Sequence, residues 1–332
     1  MPDNKQGVFC ISLDFELYWG VFEKMEVGKQ ADRYFQNTRK AIPGMLELFK
    51  VHGIQATWAA VGMIFNENEN AWHSNNAEML PEYDDMQVSS YEWYKKYALK
   101  VDRSFLFAPE LVDLIAQTSG MEIGTHTYSH YYCQESGQTV SQFKDDLQKA
   151  IEIAQAKNIV LESLVFPRNQ FNGEYMEVCH QMGIKSVRTN PDKWYWDTSK
   201  KDTLAIKIMR TGDVWFPINK ESVVPLDSIN VSQSPVCIPA SRLYRAWTNN
   251  RILNTLKKKR IFSEMTKAAK TGGLYHLWWH PHNFGYHPDA CLKELEEILQ
   301  HHASLQKKYG LLSLNMKGLR NHLINRQSAA SA

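Results

Sequence analysis

Two short segments carry side chains able to do chemistry together. Ile123-Gly-Thr-His126-Thr-Tyr-Ser-His130 offers two imidazoles four residues apart, and Ser12-Leu-Asp14-Phe-Glu16 offers two carboxylates at the end of an apolar run. Two histidines and one carboxylate suffice to hold a divalent ion with a position left open for water. Either Glu16 or Asp14 can supply the oxygen ligand, and the remaining carboxylate can accept the proton when water attacks. In an extended strand, residues 14 and 16 point to the same side, so both can face one ion. A hydrolase also needs an acid for its leaving group, and Trp278-Trp-His280-Pro-His282 supplies a histidine after another apolar run. Each signal is modest alone. A histidine pair at this spacing is often structural, and an Asp-x-Glu after a strand is often a helix cap or an ion-pair partner. His276, His282 and His287 read as packing or hydrogen-bonding residues, and His52, His73, His180, His301 and His302 have no partner pattern.

Positioning these groups requires elements that end near one another. Short apolar runs predict strands at 8–13, 56–61, 121–124, 159–166, 186–188, 274–279 and 311–316. Between them, helical patterns cover 38–52, 109–118, 140–157, 173–182, 263–270 and 288–308, with Gly53, Gly120, Gly183, Gly272 and Gly310 at the expected stops. Strands alternating with helices predict a parallel sheet or barrel whose chemistry lies at the C-terminal ends of the strands. Asp14, His126, Arg168 and His280 all fall just past such ends, and this coincidence outweighs any single residue.

Composition narrows the function classes. The chain has 332 residues, 43% hydrophobic and 12% aromatic, enough for one large barrel core. Its net charge of +2 gives no general electrostatic case for nucleic acid. No apolar run approaches the roughly 20 residues that span a bilayer. The N-terminus is polar and lacks the apolar core of a signal peptide, which points to the cytoplasm. Five scattered cysteines, without a Cys-x-x-Cys pair, read as free thiols in a reducing compartment.

One domain over 1–332 is expected, with two insertions. An acidic one near 66–107 begins with seven acids and no Lys or Arg over 66–93, and reads as a long loop or lid or, more plainly, as a solvated surface insertion. A basic one near 213–262 contains the acid-free stretch 228–263, with Arg242, Arg245, Arg251 and Lys257-Lys-Lys-Arg260. A solvated helix face is the plain reading of that stretch. The functional reading gives Arg242 and Arg245 a contact to phosphate on a substrate or its carrier. The small polar tail, 327–332, reads as disordered.

In this order, Ser-Leu-Asp14-Phe-Glu16, His126-Thr-Tyr-Ser-His130, Phe166-Pro-Arg168-Asn-Gln170 and Trp-Trp-His280-Pro resemble the NodB-type polysaccharide deacetylases, carbohydrate esterase family four. The resemblance runs from about residue 8 to residue 316. It implies a distorted (β/α) barrel and metal-dependent removal of an N-acyl group from an amino sugar. It implies Asp14 as general base, Glu16, His126 and His130 as metal ligands, and His280 as the acid for the departing amine. The segment 166–170 would buttress the base and lend an N–H to the oxyanion. Two departures stand out. The family's first box has two adjacent Asp, and its third box has Arg where this chain has Pro167, so Arg168 comes one place late. Trp194 and Trp196 would form the apolar wall near the acyl methyl, with Gln170 at the substrate.

The sequence thus reads as a cytoplasmic, metal-dependent sugar N-deacylase of surface-polysaccharide, for instance lipopolysaccharide, biosynthesis. The acyl group is acetyl or formyl, and the amino sugar is nucleotide- or lipid-linked. Zinc is favoured, with manganese, cobalt, nickel or iron as alternatives. The rivals are an amidase for a small non-sugar amide and a catalytically inactive barrel that binds glycan.

Overall fold

The computed structural model describes residues 6–191, 193–196, 203–215 and 222–331. Among the described residues ten strands form one sheet: β1 (Val8–Phe15), β2 (Ala56–Ala60), β3 (Met121–Thr125), β4 (Ser163–Val165), β5 (Ser186–Thr189), β6 (Val224–Pro225), β7 (Val236–Pro239), β8 (Arg242–Leu243), β9 (Gly273–Trp279) and β10 (Leu312–Leu314). The helices are α1 (Lys29–Val51), α2 (Glu69–Ser74), α3 (Ser90–Tyr97), α4 (Pro109–Gln117), α5 (Val140–Gln155), α6 (Gly173–Gln181), α7 (Leu204–Gly212), α8 (Arg251–Thr271), α9 (Pro288–Tyr309) and α10 (Met316–Ser331).

Strands β9, β1, β2, β3, β4, β5 and β7 follow one another in parallel. Just past β7 the backbone crosses to β9. Ala240 N still donates to the Thr189 carbonyl, Ser241 N donates to that of His276, and β8 pairs in parallel with β9. The stretch from β7 to β8 therefore brings the sheet almost full circle, giving a distorted (β/α) barrel. Its thinnest seam lies between β3 and β4, which share the single register pair Thr125↔Leu164. Strand β10 pairs with Val8–Cys10, below the point where β2 takes over the same edge of β1. Met316, Leu319 and Leu323 of α10 pack with Val8, Cys10 and Leu274 in one cluster at that end of the barrel.

All seven predicted strands are present. The reading of 159–166 shrinks to β4, and β6, β7 and β8 were not expected because they are only two to four residues long. Helix α1 starts nine residues before the predicted 38, and α8 twelve before the predicted 263. Asn250 caps α8 by accepting from Ile252 N and Leu253 N. Gly272 and Gly310 adopt φ of 69° and 72° at the ends of α8 and α9, as left-handed stops require. The tail is helical to Ser331 rather than disordered, and Ala332 lies outside the described residues.

The acidic insertion is a packed layer of short helices, not a solvated loop. Trp72, Tyr91, Trp93, Tyr94 and Phe105 are buried, while many of the acids face outward. Trp93 stacks at 4.9 Å on Tyr18, Tyr94 at 5.9 Å on Trp19, and Trp19 Nε1 donates to the Leu106 carbonyl at 2.8 Å. The insertion thereby braces the segment that follows Glu16. The basic insertion contains residues 216–221, which lie outside the described residues.

Candidate metal and acid–base site

Side chains that alternate inward along the strands meet at the C-terminal end of the barrel. Asp14 and Glu16 come from the end of β1, His126 follows β3, Arg188 comes from β5 and His280 follows β9. The small residues Ala59 and Gly124, in register beside Asp14, keep that part of the interior open.

On one side, Glu16 Oε1 stands 3.0 Å from His126 Nε2 and 3.2 Å from His130 Nε2, with all three residues buried. The outer ring nitrogens are already committed. His126 Nδ1 lies 2.7 Å from the Val165 carbonyl, which can only accept, so Nδ1 carries the proton. His130 Nδ1 lies 3.0 Å from the Tyr132 hydroxyl, which donates to Glu23 and must therefore accept from Nδ1. In neutral rings both Nε2 atoms are then bare lone pairs. They converge on a carboxylate oxygen that is also an acceptor. Three acceptors this close repel one another unless a cation stands among them. Ligand atoms around an ion with arms of about 2.1 Å are themselves roughly 3 Å apart. By ligand type, protonation pattern and spacing, the set fits a divalent ion. Burial works to raise the Glu16 pKa, but the neighbouring His280, His126 and His130 outweigh it and hold the carboxyl well below its ordinary value. Burial also lowers that of His130.

On the other side, both Asp14 oxygens are taken by Arg188, Nη1 to Oδ1 at 2.6 Å and Nη2 to Oδ2 at 2.8 Å. Both side chains are almost fully buried. Arg188 also donates to Ser12 Oγ and to Asn169 Oδ1, each at 3.1 Å, and lies 4.1 Å over the Trp278 ring. Ser12 passes its own proton to His276 Nε2 at 2.8 Å, and His276 Nδ1 donates to the Pro239 carbonyl at 3.2 Å. Burial pushes the His276 pKa down to about 3, so it stays a neutral link in this line. Burial alone would raise Asp14, but the Arg188 charge outweighs it and the carboxyl titrates below its ordinary value.

His280 stands between the two halves. Its Nε2 is 3.6 Å from Asp14 Oδ2 and 3.6 Å from Glu16 Oε1, and its side chain is 26% exposed. His282, read from sequence as a packing residue, is buried with Nδ1 3.6 Å from Glu16 Oε2, and among the described residues neither atom has a hydrogen-bond partner.

The loop of the His box is held from outside. Thr127 and His130 adopt φ of 63° and 61°, a region that β-branched and bulky residues rarely occupy. Asp146 of α5 fixes this turn by accepting from Tyr128 N at 2.7 Å, from Ser129 N at 3.1 Å and from the Ser129 hydroxyl. Nothing in the box itself points to Asp146.

Several expected residues stand elsewhere. Arg168 does not reach Asp14. It pairs with Glu23 and, at 2.6 Å, with Glu135, and it lies 4.0 Å over the Tyr132 ring. Neighbouring residues of a tight turn point to different sides, and both Arg168 and Asn169 have positive φ, 54° and 52°. The one-place shift therefore sends the arginine outward and leaves Asn169 facing Arg188. Gln170 joins the same outer cluster through Glu135 at 3.1 Å. Arg242 is not at a substrate surface. It is buried against Glu264, at 2.5 and 2.6 Å, and near Asp213. The acid-free stretch finds its acids outside its own ends, at Asp213 upstream and at Glu264 directly after it. Arg245 is mostly buried, and its Nε has no hydrogen-bond partner among the described residues. Trp196 lies 6.2 Å from Trp278, beside Arg188 and His280, whereas Trp194 is 53% exposed. Arg188, missed from sequence, did carry a signal. In β5 its side chain alternates with that of Val187, and an arginine turned into a barrel needs a carboxylate.

Residues 32–187 match the family described as Polysaccharide deacetylase. The match takes in the His box and residues 166–170, and it stops short of Asp14, Glu16, Arg188 and His280. No curated protein is similar enough to match. Among solved structures, a candidate polysaccharide deacetylase from Mycobacterium smegmatis is similar at TM-score 0.62 and 14% identity, covering 98% of this chain and 93% of that one. Puue allantoinase follows at 0.57 and 11%, covering 97% and 91%. A candidate polysaccharide deacetylase from Pseudomonas aeruginosa PAO1 gives 0.54 and 11%, covering 97% and 92%. At these identities the likeness is one of fold.

Proposed function

We propose that this chain, which belongs with the polysaccharide deacetylases, hydrolyses an N-acyl group from an amino sugar with the aid of one divalent ion. The observation that carries the reading is the meeting of three bare acceptors, Glu16 Oε1 and the Nε2 atoms of His126 and His130. An ion held by them would supply Lewis-acid chemistry, acidifying water and polarising the amide carbonyl. Zinc suits two imidazoles and a carboxylate best, and manganese, cobalt, nickel or iron could take the same donors.

The chain's own residues do the rest. Asp14, held anionic and in place by Arg188, accepts the proton of the attacking water. His280, on the open side of the two carboxylates, gives a proton to the departing amine. Trp196 and Trp278 wall the space beside them, where a small acyl group, acetyl or formyl, would sit. Arg168 and Gln170 belong to the support of the rim rather than to the reacting atoms.

A cytoplasmic role in surface-polysaccharide biosynthesis remains part of this proposal, supported by five cysteines that are all free. Among the described residues no helix is long and apolar enough to cross a membrane. The nucleotide- or lipid-linked form of the substrate loses its main argument, because Arg242 is buried in an ion network. The fold shared with Puue allantoinase favours, as the second reading, a small non-sugar amide. An inactive glycan-binding barrel is disfavoured by the complete set of ligands, base and acid. Mass spectrometry of N-acetyl and N-formyl amino sugars incubated with the zinc-loaded protein tests the proposal. Loss of the acyl mass supports it, whereas turnover of small amides alone moves the assignment to the second reading.

A further inference from the structure

The two imidazoles facing Glu16 are held in different ways. His126 gives its outer N–H to a backbone carbonyl, at Val165. His130 gives its own to the Tyr132 hydroxyl, which in turn donates to the Glu23 carboxylate. Tyr132 is buried, with its ring edge-on to His130 at 5.1 Å, and its backbone N donates to the Tyr83 hydroxyl at 2.9 Å. Arg168 covers the outer face of Tyr132 and pairs with Glu23, so the far end of the line is pinned by charge. The direction of every bond is set, because a carboxylate can only accept and the hydroxyl has one proton to give. His130 also sits on a left-handed backbone at the end of a constrained turn, so its ring gains orientation from a side-chain support.

From this geometry we infer that Glu23 is a positioning residue for His130, acting through the Tyr132 hydroxyl and held in place by Arg168. The inference rests on the proposed reading of Glu16, His126 and His130 as the ligands of an ion. A carboxylate behind the hydroxyl draws on the Nδ1 proton and makes Nε2 the stronger donor, as outer partners of metal-binding histidines do. The displaced arginine of the third box thus serves the ligand side of the site, while Arg188 serves the side of the base.

The experiment is a zinc titration in competition with a chromophoric chelator, with metal-free unfolding followed in parallel. Tyr132→Phe is expected to weaken zinc binding about 10- to 100-fold, and Glu23→Ala about tenfold. The double variant should bind no more weakly than Tyr132→Phe alone, because Glu23 has no other route to the ion. The unfolding midpoint of metal-free Glu23→Ala should stay near that of the parent, which separates positioning from general stability. Parent-like affinity in both single variants would overturn the inference while leaving the metal site intact, and so would a double variant whose loss is the sum of the two. If instead the parent binds no zinc, or His130→Ala binds it as tightly as the parent, the ligand assignment itself fails and this inference with it.

Discussion

Asp14 and Glu16 stand two residues apart at one strand end and face the same interior, yet their surroundings are opposite in kind. Asp14 is gripped by a guanidinium that occupies both carboxylate oxygens. Glu16 faces two imidazoles whose outer nitrogens are committed, and its Oε2 has no hydrogen-bond partner among the described residues. A carboxylate clamped at both oxygens is a poor ligand but a well-oriented anion. One set among bare nitrogens is a good ligand. The contrast teaches that the counter-charge reached across the barrel, rather than the place in the strand, distinguishes the two proposed tasks.

The largest effect that sharpens this comparison concerns stability. Removing one partner of a buried ion pair leaves the other charge stranded, at a cost of about 3–5 kcal/mol. Arg188→Met should lose that much in denaturant unfolding, and Asp14→Asn added to it should recover a large part. An equal loss in the single and double variants would mean that the pair is not coupled. The next effect concerns the group shared by both halves. His280→Ala should keep the ion and lose about a hundredfold in kcat, the scale of a proton-transfer role. That loss should shrink with a better leaving amine, and equal losses on good and poor leaving groups would make His280 structural.

A smaller effect isolates the ligand side. A Cβ at Gly20 would fall 1.7 Å from Glu16 Oε2. Gly20→Ala should push that carboxylate and loosen the ion by about tenfold, while the Arg188–Asp14 pair keeps the fold stable. Unchanged affinity would show that Glu16 is not a ligand in the position it holds. The smallest effect is expected at Arg168, which is partly exposed and already paired outside the site. Arg168→Gln should cost about 1 kcal/mol or less in unfolding. A collapse of stability like that of Arg188→Met would erase the distinction between the two arginines.

What could be read along the chain follows from where each partner lies. The His box and the two carboxylates are local patterns, and the glycine stops and β-α alternation report the barrel because both are set by near neighbours. Arg188 is joined to Asp14 from 174 positions away, a distance no local pattern spans. Arg168 was drawn to the base by its place in a motif, and a one-residue shift in a tight turn was enough to redirect it. Arg242 looked free because its acids, Asp213 and Glu264, lie outside the stretch that seemed basic. The acidic insertion looked solvated because its charges dominate its composition, although its aromatic residues set its packing. Asp146 and Tyr132 support the His box from positions whose residue types are ordinary by themselves.

The separation of tasks between Asp14 and Glu16 is tested most directly by measuring bound metal and turnover together in Asp14→Asn and Glu16→Gln. Asn keeps the shape and hydrogen bonding of Asp14 but cannot take a proton. That variant should retain a full equivalent of metal while turnover falls by about 10²–10⁴. Glu16→Gln should lose metal first, with turnover following occupancy and partly restored by excess ion. A metal-free Asp14→Asn beside a metal-replete but inactive Glu16→Gln would reverse the two roles, and full activity in both would remove this site from the chemistry.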